Sequence, residues 1–290
     1  MTKPVVIVTG ASGQVGKEIQ AISIRYPAFR FLFLSKEDLP MDQFESVKKY
    51  FDANHPAYCI NCAAYTAVDR AETEKELAMW INGDAVGYLA GICKLFNTKL
   101  IHISTDYVFD GTAVAPYKEN HATNPVNYYG QTKLQGEKLC VGNNPESIII
   151  RTSWVYSEFG NNFVKTMVRL MKERTSLNVV NDQIGSPAYA ADLAKVMLDV
   201  IEKSEQETGG WKPGIFHYSN EGVISWYDFA VAIRNISRSN CNIHAIPTSS
   251  YPTPAARPAY SVFNKEKIKE TFGILIPEWK DSLEICMAKM

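Results

Sequence analysis

Through the first half of the chain, short β-rich apolar runs alternate with longer segments of helical period. VVIVT is followed by a helix opening at Gly13, FLFL by one over 43–53, AYCINCA by one over 72–96 and KLIHIS by one over 128–141, before SIIIR closes the series. A helix between successive strands is the crossover that parallel pairing requires, so the pattern predicts an α/β fold with a Rossmann-type doubly wound parallel sheet. Past residue 155 the alternation loosens. Helices are predicted over 161–173, 188–203, 225–238 and 264–272, separated by the Pro- and Gly-bearing connectors ETGGWKPG and PTSSYPTPAARP. The expected organisation is therefore an NAD(P)-binding Rossmann domain over 1–155, with parts of 156–225 returning to it. A smaller α/β substrate-binding lobe, interleaved with the first domain, takes up most of 156–290.

A chain of 290 residues with 46% hydrophobic residues can bury a sizeable core. Thirty basic against thirty-one acidic residues leave a net charge of -1, which provides no global field for nucleic acid or an anionic membrane surface. Any anion must be bound locally. The apolar run at 5–8 has no basic leader before it, and no stretch reaches membrane-spanning length, so a cytoplasmic protein is expected. Six scattered cysteines lie mostly in apolar segments, as reduced thiols do. Cys59 and Cys62 form a single CxxC within a strand-like run, with no second pair to complete a metal site.

Gly10, Gly13 and Gly16 follow the first strand directly and lead into the first helix. One such glycine permits a tight turn, another lets backbone N–H groups approach a pyrophosphate, and the helix N-terminus faces the anion. A glycine triplet alone is only a flexible turn; its strand-turn-helix setting makes this one a dinucleotide site. Ser35 and Lys36 stand at the end of the second strand, where an acid would select NADH. A hydroxyl and a cation suit the 2′-phosphate of NADPH, although Glu37 and Asp38 follow and Lys36 could equally solvate a loop.

Tyr129 and Lys133 are one helical turn apart and share a face. In isolation they would be a solvated pair, but they open the helix after KLIHISTDYVFDG, whose strand end belongs at the ligand-binding edge of a parallel sheet. An ammonium beside a phenol stabilises the phenolate, which is expected to make Tyr129 a proton shuttle; Lys133 would also hold the nicotinamide ribose. Thr105, with Ser104 as second choice, can donate to a substrate carbonyl. These are the parts of a carbonyl reductase.

The stretches TGASGQVG, INCAAYTAVDRAE, HISTDYVFDG, NYYGQTKLQGEK, IIRTSWVYSEFGNNFVKTM, VVNDQIGSPAY and YPTPAARPAYS occur in order. On them the chain resembles the extended short-chain dehydrogenase/reductases, and more narrowly the dTDP-4-dehydrorhamnose reductase family. The resemblance implies reduction of the C4 ketone of a dTDP-4-keto-6-deoxysugar by NADPH, with NADH as the other candidate. It implies Tyr129 as catalytic acid, Lys133 as its partner and Thr105 as the third member. Gly10, Ser12, Gly13, Gln14, Val15, Ala63, Ala64 and Tyr65 match the family's cofactor positions. Asp106, Tyr107 and Trp154 match sugar contacts, and Arg257 matches a position that could meet the diphosphate, for which its fork of donors is suited. Ser35 replaces the acid found in relatives able to use NADH. Some relatives form dimers around magnesium; Glu18 matches one of their acids, but Ala191 replaces another, so a homodimer stays open and a metal is not carried over.

Other residues read more plainly. Trp154 could equally be core packing. His102, inside an apolar strand, is expected to be a satisfied core histidine, and His121 a surface one. Trp226 and Phe229 have the helical spacing of core residues. The competing functions are a reductase or epimerase of another nucleotide sugar, and a non-catalytic dinucleotide-binding regulatory subunit like the β-subunit of methionine adenosyltransferase. Retention of Thr105, Tyr129 and Lys133 favours the enzyme.

Overall fold

The structure, a computed structural model, describes residues 3–39, 43–206 and 210–290. Six parallel strands form its main sheet: β1 (Val5–Thr9), β2 (Arg30–Leu34), β3 (Tyr58–Asn61), β4 (Lys99–Thr105), β5 (Ile148–Thr152) and β6 (Gly214–His217). Their order is β6-β5-β4-β3-β1-β2. The chain builds outward from β1 in both directions, and the reversal between β1 and β3 leaves a crevice at the carboxyl ends of the strands, where folds of this class bind ligands.

Alternation along each strand sorts the core into two layers. Ile7, Cys59, Leu100 and Ile149 face one side, against Val47 and Phe51 of α2 (Phe44–Asn54) and Val86 and Leu89 of α3 (Ala85–Leu95). On the other side Val6, Val8, Ile60, Ile101, Ile148 and Ile150 meet Ile19 of α1 (Gln14–Ile22) and Leu193 and Met197 of the helix Ala190–Gln206. Each fully buried aliphatic side chain stabilises the fold by ~1.5–3 kcal/mol. The helix that follows β4, α4 (Tyr128–Asn143), is unusual in burying polar groups, among them Thr132, Lys133 and Glu137. Glu137 is satisfied by a two-pronged pair with Arg151 of β5, at 2.9 and 2.7 Å.

The single helix expected over 72–96 is interrupted. A short turn spans Val68–Ala71, helix begins only at Lys75, and Trp80–Asp84 widen into a π-helical turn before α3. At that wide turn the buried Asn82 amide accepts from the Tyr65 N–H at 2.8 Å and donates to the Tyr65 carbonyl and the Thr132 hydroxyl. Helical spacing alone does not register such a bulge. The remaining helices lie within two or three residues of expectation: α5 (Phe163–Glu173), α6 (Ala190–Gln206), α7 (Trp226–Ser237) and α8 (Glu266–Phe272).

A last helix, α9 (Trp279–Met287), and a parallel pair of strands, Ser176–Val180 with Asn242–Ile246, were not anticipated. Together with α5 and α7 they enclose a second core, including Met167, Leu177, Phe229, Ile233 and Leu283. Part of the expected connector ETGGWKPG, residues 207–209, lies outside the described residues. Among the described residues no helix is long and apolar enough to cross a membrane.

Candidate active site

At the end of β1 the backbone turns at Gly10 with φ +64°, a left-handed conformation that costs glycine little. A Cβ there would lie 2.6 Å from the Ala63 nitrogen, and one on Gly16 would lie 2.5 Å from the Gly10 carbonyl oxygen. The missing side chains therefore let turn, helix and the neighbouring strand end close on one another. Gly13 is the N-cap of α1 and provides no side-chain cap, so the first-turn N–H groups remain available to an anion.

This turn forms one wall of a cleft of about 330 Å³. Of the residues expected to hold a dinucleotide, Gly10, Ser12, Gly13, Ser35, Lys36, Ala63 and Ala64 line it, joined by Leu34, Leu39, Asn61 and Trp80. Ser35 is partly committed, because its hydroxyl donates to Asp38 at 2.7 Å and so tightens the turn after β2. Five expected residues do not line it, Tyr129 and Lys133 among them. Val15 packs in the core beneath the turn. The Gln14 side chain accepts from Asn162 at 2.8 Å, at the head of α5, and the Tyr65 hydroxyl donates to Glu74 at 2.7 Å.

Two strands away, β4 ends in Thr105 and α4 brings Tyr129 and Lys133 over it. Both side chains are buried, with exposures of 8% and 1%. Tyr107 meets the Tyr129 ring edge-on, with centroids 5.5 Å apart. Burial pushes the Tyr129 phenol up to about 12; the Thr105 hydroxyl opposes that rise and the Asp106 charge adds to it. The expectation of a phenol acidified by its lysine is thus corrected for this state. The Lys133 ammonium donates instead to the Ile103 carbonyl at 2.7 Å, and its Nζ lies 3.4 Å from His102 Nε2. One helical turn puts the two side chains on the same face, but the longer one reaches past the phenol to the strand. Burial lowers Lys133 itself to about 8.

Asp106 is buried beside Thr105, whose hydroxyl donates to its Oδ1 at 3.0 Å, and burial raises it to about 6. Among the described residues its Oδ2 has no hydrogen-bond partner, and neither has the Ser104 hydroxyl. Trp154 adopts φ +47° and stacks on Trp226 at 3.7 Å. Arg257 does not present its fork outward: it grips Asp69 with two hydrogen bonds of 2.9 Å and also donates to the Ala255 carbonyl.

His102, expected to be a satisfied core residue, is buried and bonded, but its partners are Asn61 and Lys133. Sequence reasoning missed that link and the role of Asn61. A signal for it exists, since Leu100 and His102 share the β4 face toward α4 by alternation. The six cysteines are free thiols, and burial pushes that of Cys62 up. Glu18 is turned inward, accepting from Ser157 at 2.6 Å.

A family model described as the RmlD substrate binding domain matches residues 4–290. The dTDP-4-dehydrorhamnose reductase of Aggregatibacter actinomycetemcomitans is 41% identical over 285 residues, covering 96% of each chain. The dTDP-4-dehydrorhamnose reductase of Bacillus anthracis, solved in complex with NADP, superposes with a TM-score of 0.94 at 37% identity over 100% of both chains. Its counterpart from Clostridium acetobutylicum gives 0.92 at 39% identity, covering 98% of this chain and 99% of that one.

Proposed function

This chain belongs to the RmlD substrate binding domain family, and from that premise we propose that it is an NADPH-dependent dTDP-4-dehydrorhamnose reductase. It reduces the C4 ketone of the dTDP-linked 4-keto-6-deoxysugar to the alcohol of dTDP-L-rhamnose, in the cytoplasm. The residues fit the cofactor. Gly10 and Gly16 leave room that a Cβ would fill, the uncapped start of α1 offers N–H groups, and Ser35 with Lys36 forms a cation-bearing rim without an acid at the strand end. When bound, NADPH supplies the hydride.

The chain's own residues do the rest. Tyr129, fully protonated at neutral pH because burial holds it near 12, carries the proton that the substrate oxygen needs as negative charge develops there. Thr105, at the end of β4, holds the same oxygen in place by turning its hydroxyl hydrogen from Asp106 Oδ1 to the substrate. Lys133 positions the ribose. The unpartnered Asp106 Oδ2 is available to a sugar hydroxyl. Arg257 reaches the diphosphate only by leaving Asp69, so this role requires an exchange of partners.

The observation that carries the reading is the gathering of buried Thr105, Tyr129 and Lys133 at the carboxyl end of β4, two strands from the glycine turn. NADPH absorbance followed with a panel of nucleotide keto-sugars tests it. Turnover of dTDP-4-dehydrorhamnose that falls 10²–10⁴-fold in Tyr129→Phe, with NADPH affinity within a few fold, is expected. Tight NADPH binding without turnover of any keto-sugar would instead point to the regulatory-subunit function.

A further inference from the structure

On the sheet face toward α3 and α4, Thr9 of β1, Asn61 of β3 and His102 of β4 stand side by side, paired in register across the three strands. The Thr9 hydroxyl donates to Asn61 Oδ1 at 2.7 Å, and the Ala63 N–H donates to the same oxygen at 3.1 Å. With its oxygen taken by two donors, the Asn61 amide can present only its NH₂ to His102, whose Nδ1 lies 3.1 Å away. Nδ1 therefore accepts. A neutral imidazole has one hydrogen, so it sits on Nε2, which faces Lys133 Nζ at 3.4 Å.

We propose that His102 is a positioning residue: held in the Nε2–H tautomer by Asn61, it turns an N–H toward Lys133 and favours the neutral amine over the ammonium. Direction then runs one way through the row, from Thr9 to Asn61, to His102, to Lys133, to the Ile103 carbonyl. A neutral Lys133 accepts from His102 and still donates to Ile103.

The other groups facing Lys133 do not oppose this strongly. On its own helix Glu137 and Cys140 raise its proton affinity, by less than burial lowers it, and the Glu137 carboxylate is already spanned by Arg151. From the sheet side the titratable neighbour is His102, which burial keeps neutral. The low proton affinity of Lys133 is in keeping with this arrangement. The kinetic consequence, though not the tautomer, rests on Lys133 belonging to the reductase centre: its ionisation then appears in the rate profile, at a pH set in part by His102.

Long-range ¹H–¹⁵N NMR on the full chain labelled in its five histidines tests the tautomer without substrate, the His102 signals being assigned by their loss in His102→Leu or, if that variant does not fold, by their contact with Lys133. A protonated Nε2 with an acceptor Nδ1 at neutral pH is expected; Nδ1–H, or an imidazolium, would overturn the proposal. Asn61→Asp replaces the donating amide with an acceptor, and should flip His102 to Nδ1–H so that Nε2 faces Lys133 as an acceptor.

In kcat/KM profiles, the ionisation that disappears in Lys133→Met should move up by about one pH unit, a tenfold change in proton affinity, in both His102→Leu and Asn61→Asp. A profile unchanged, or shifted downward, in His102→Leu argues against it. Should no keto-sugar be turned over, the proposed reductase function fails while the tautomer measurement still decides this one.

Discussion

At the end of β1 the chain makes its site by leaving side chains out, whereas at the end of β4 it makes one by burying polar side chains. The glycine turn owes its shape to a left-handed Gly10 and the close approach of Gly16, and the groups it offers are backbone N–H donors at a helix terminus. The proposed reaction corner is made of Thr105, Asp106, Tyr129 and Lys133, all buried and all displaced from their ordinary proton affinities or bonded to one another. The difference teaches where each is vulnerable. A turn of backbone fails when volume is added; a corner of titratable groups fails when a charge or a proton is changed at constant volume.

The largest effect should come from the corner. Lys133→Ala is expected to lower kcat/KM by 10²–10⁴-fold and to weaken NADPH binding as well, read by steady-state kinetics and by fluorescence titration. If only the melting temperature moved, Lys133 would be packing, and the contrast with the turn would collapse.

At the turn, Gly10→Ala places a methyl group against the Ala63 backbone in a backbone conformation alanine resists. It should cost ~3 kcal/mol of stability in urea and most of the NADPH affinity. A neutral Gly10→Ala would mean that the turn can relax, and that its glycines are not what shapes it.

A third buried group sharpens the comparison, because it titrates outside both regions. Burial and the neighbouring Glu158 raise Glu18 from 4.5 to about 7, while the hydrogen bond from Glu18, and after it those from Tyr189 and Lys289, hold the Glu158 carboxyl below its usual range. Between those two pH values the folded protein keeps a proton that the unfolded chain has lost. The stability Glu18 contributes is therefore fully present below pH 4.5 and is lost as pH rises through about 7. Glu18→Gln should remove that slope and leave the protein ~1–3 kcal/mol more stable at pH 8, measured by urea unfolding across pH. An unchanged slope would assign the proton elsewhere.

Lys133 has the opposite sign. Its buried ammonium is a full burden below about pH 8, and stability is regained as pH rises from there toward 10.5.

The smallest effect belongs to the exposed pair of Lys195 with Asp199 on α6. Lys195→Ala should change stability by no more than ~0.5 kcal/mol and leave kinetics untouched. A larger loss there would show that surface charge matters to this fold more than either site suggests.

Much of the site was legible because it is written locally. Alternating runs such as VVIVT and KLIHIS specify strands through side-chain periodicity, the glycine triplet specifies a turn through missing Cβ atoms, and the spacing of Tyr129 and Lys133 puts both on one helical face. The π-helical turn at Trp80–Asp84 escaped, since one extra residue in a turn leaves helical spacing almost unaltered. The strands Ser176–Val180 and Asn242–Ile246 escaped because each is short and only half buried, and acquires its partner from far along the chain.

By itself, then, the sequence determined the parallel sheet, the glycine turn and which side chains stand as candidates for the reaction, all consequences of chain geometry over a few residues. Only the tertiary structure decided what those side chains face: Asp69 against Arg257, Trp226 against Trp154, and His102 rather than Tyr129 against Lys133 Nζ. Partners are chosen by strand register and by the depth at which helices pack on the sheet, and the proton affinity of a buried group follows from those partners and from the water it has lost.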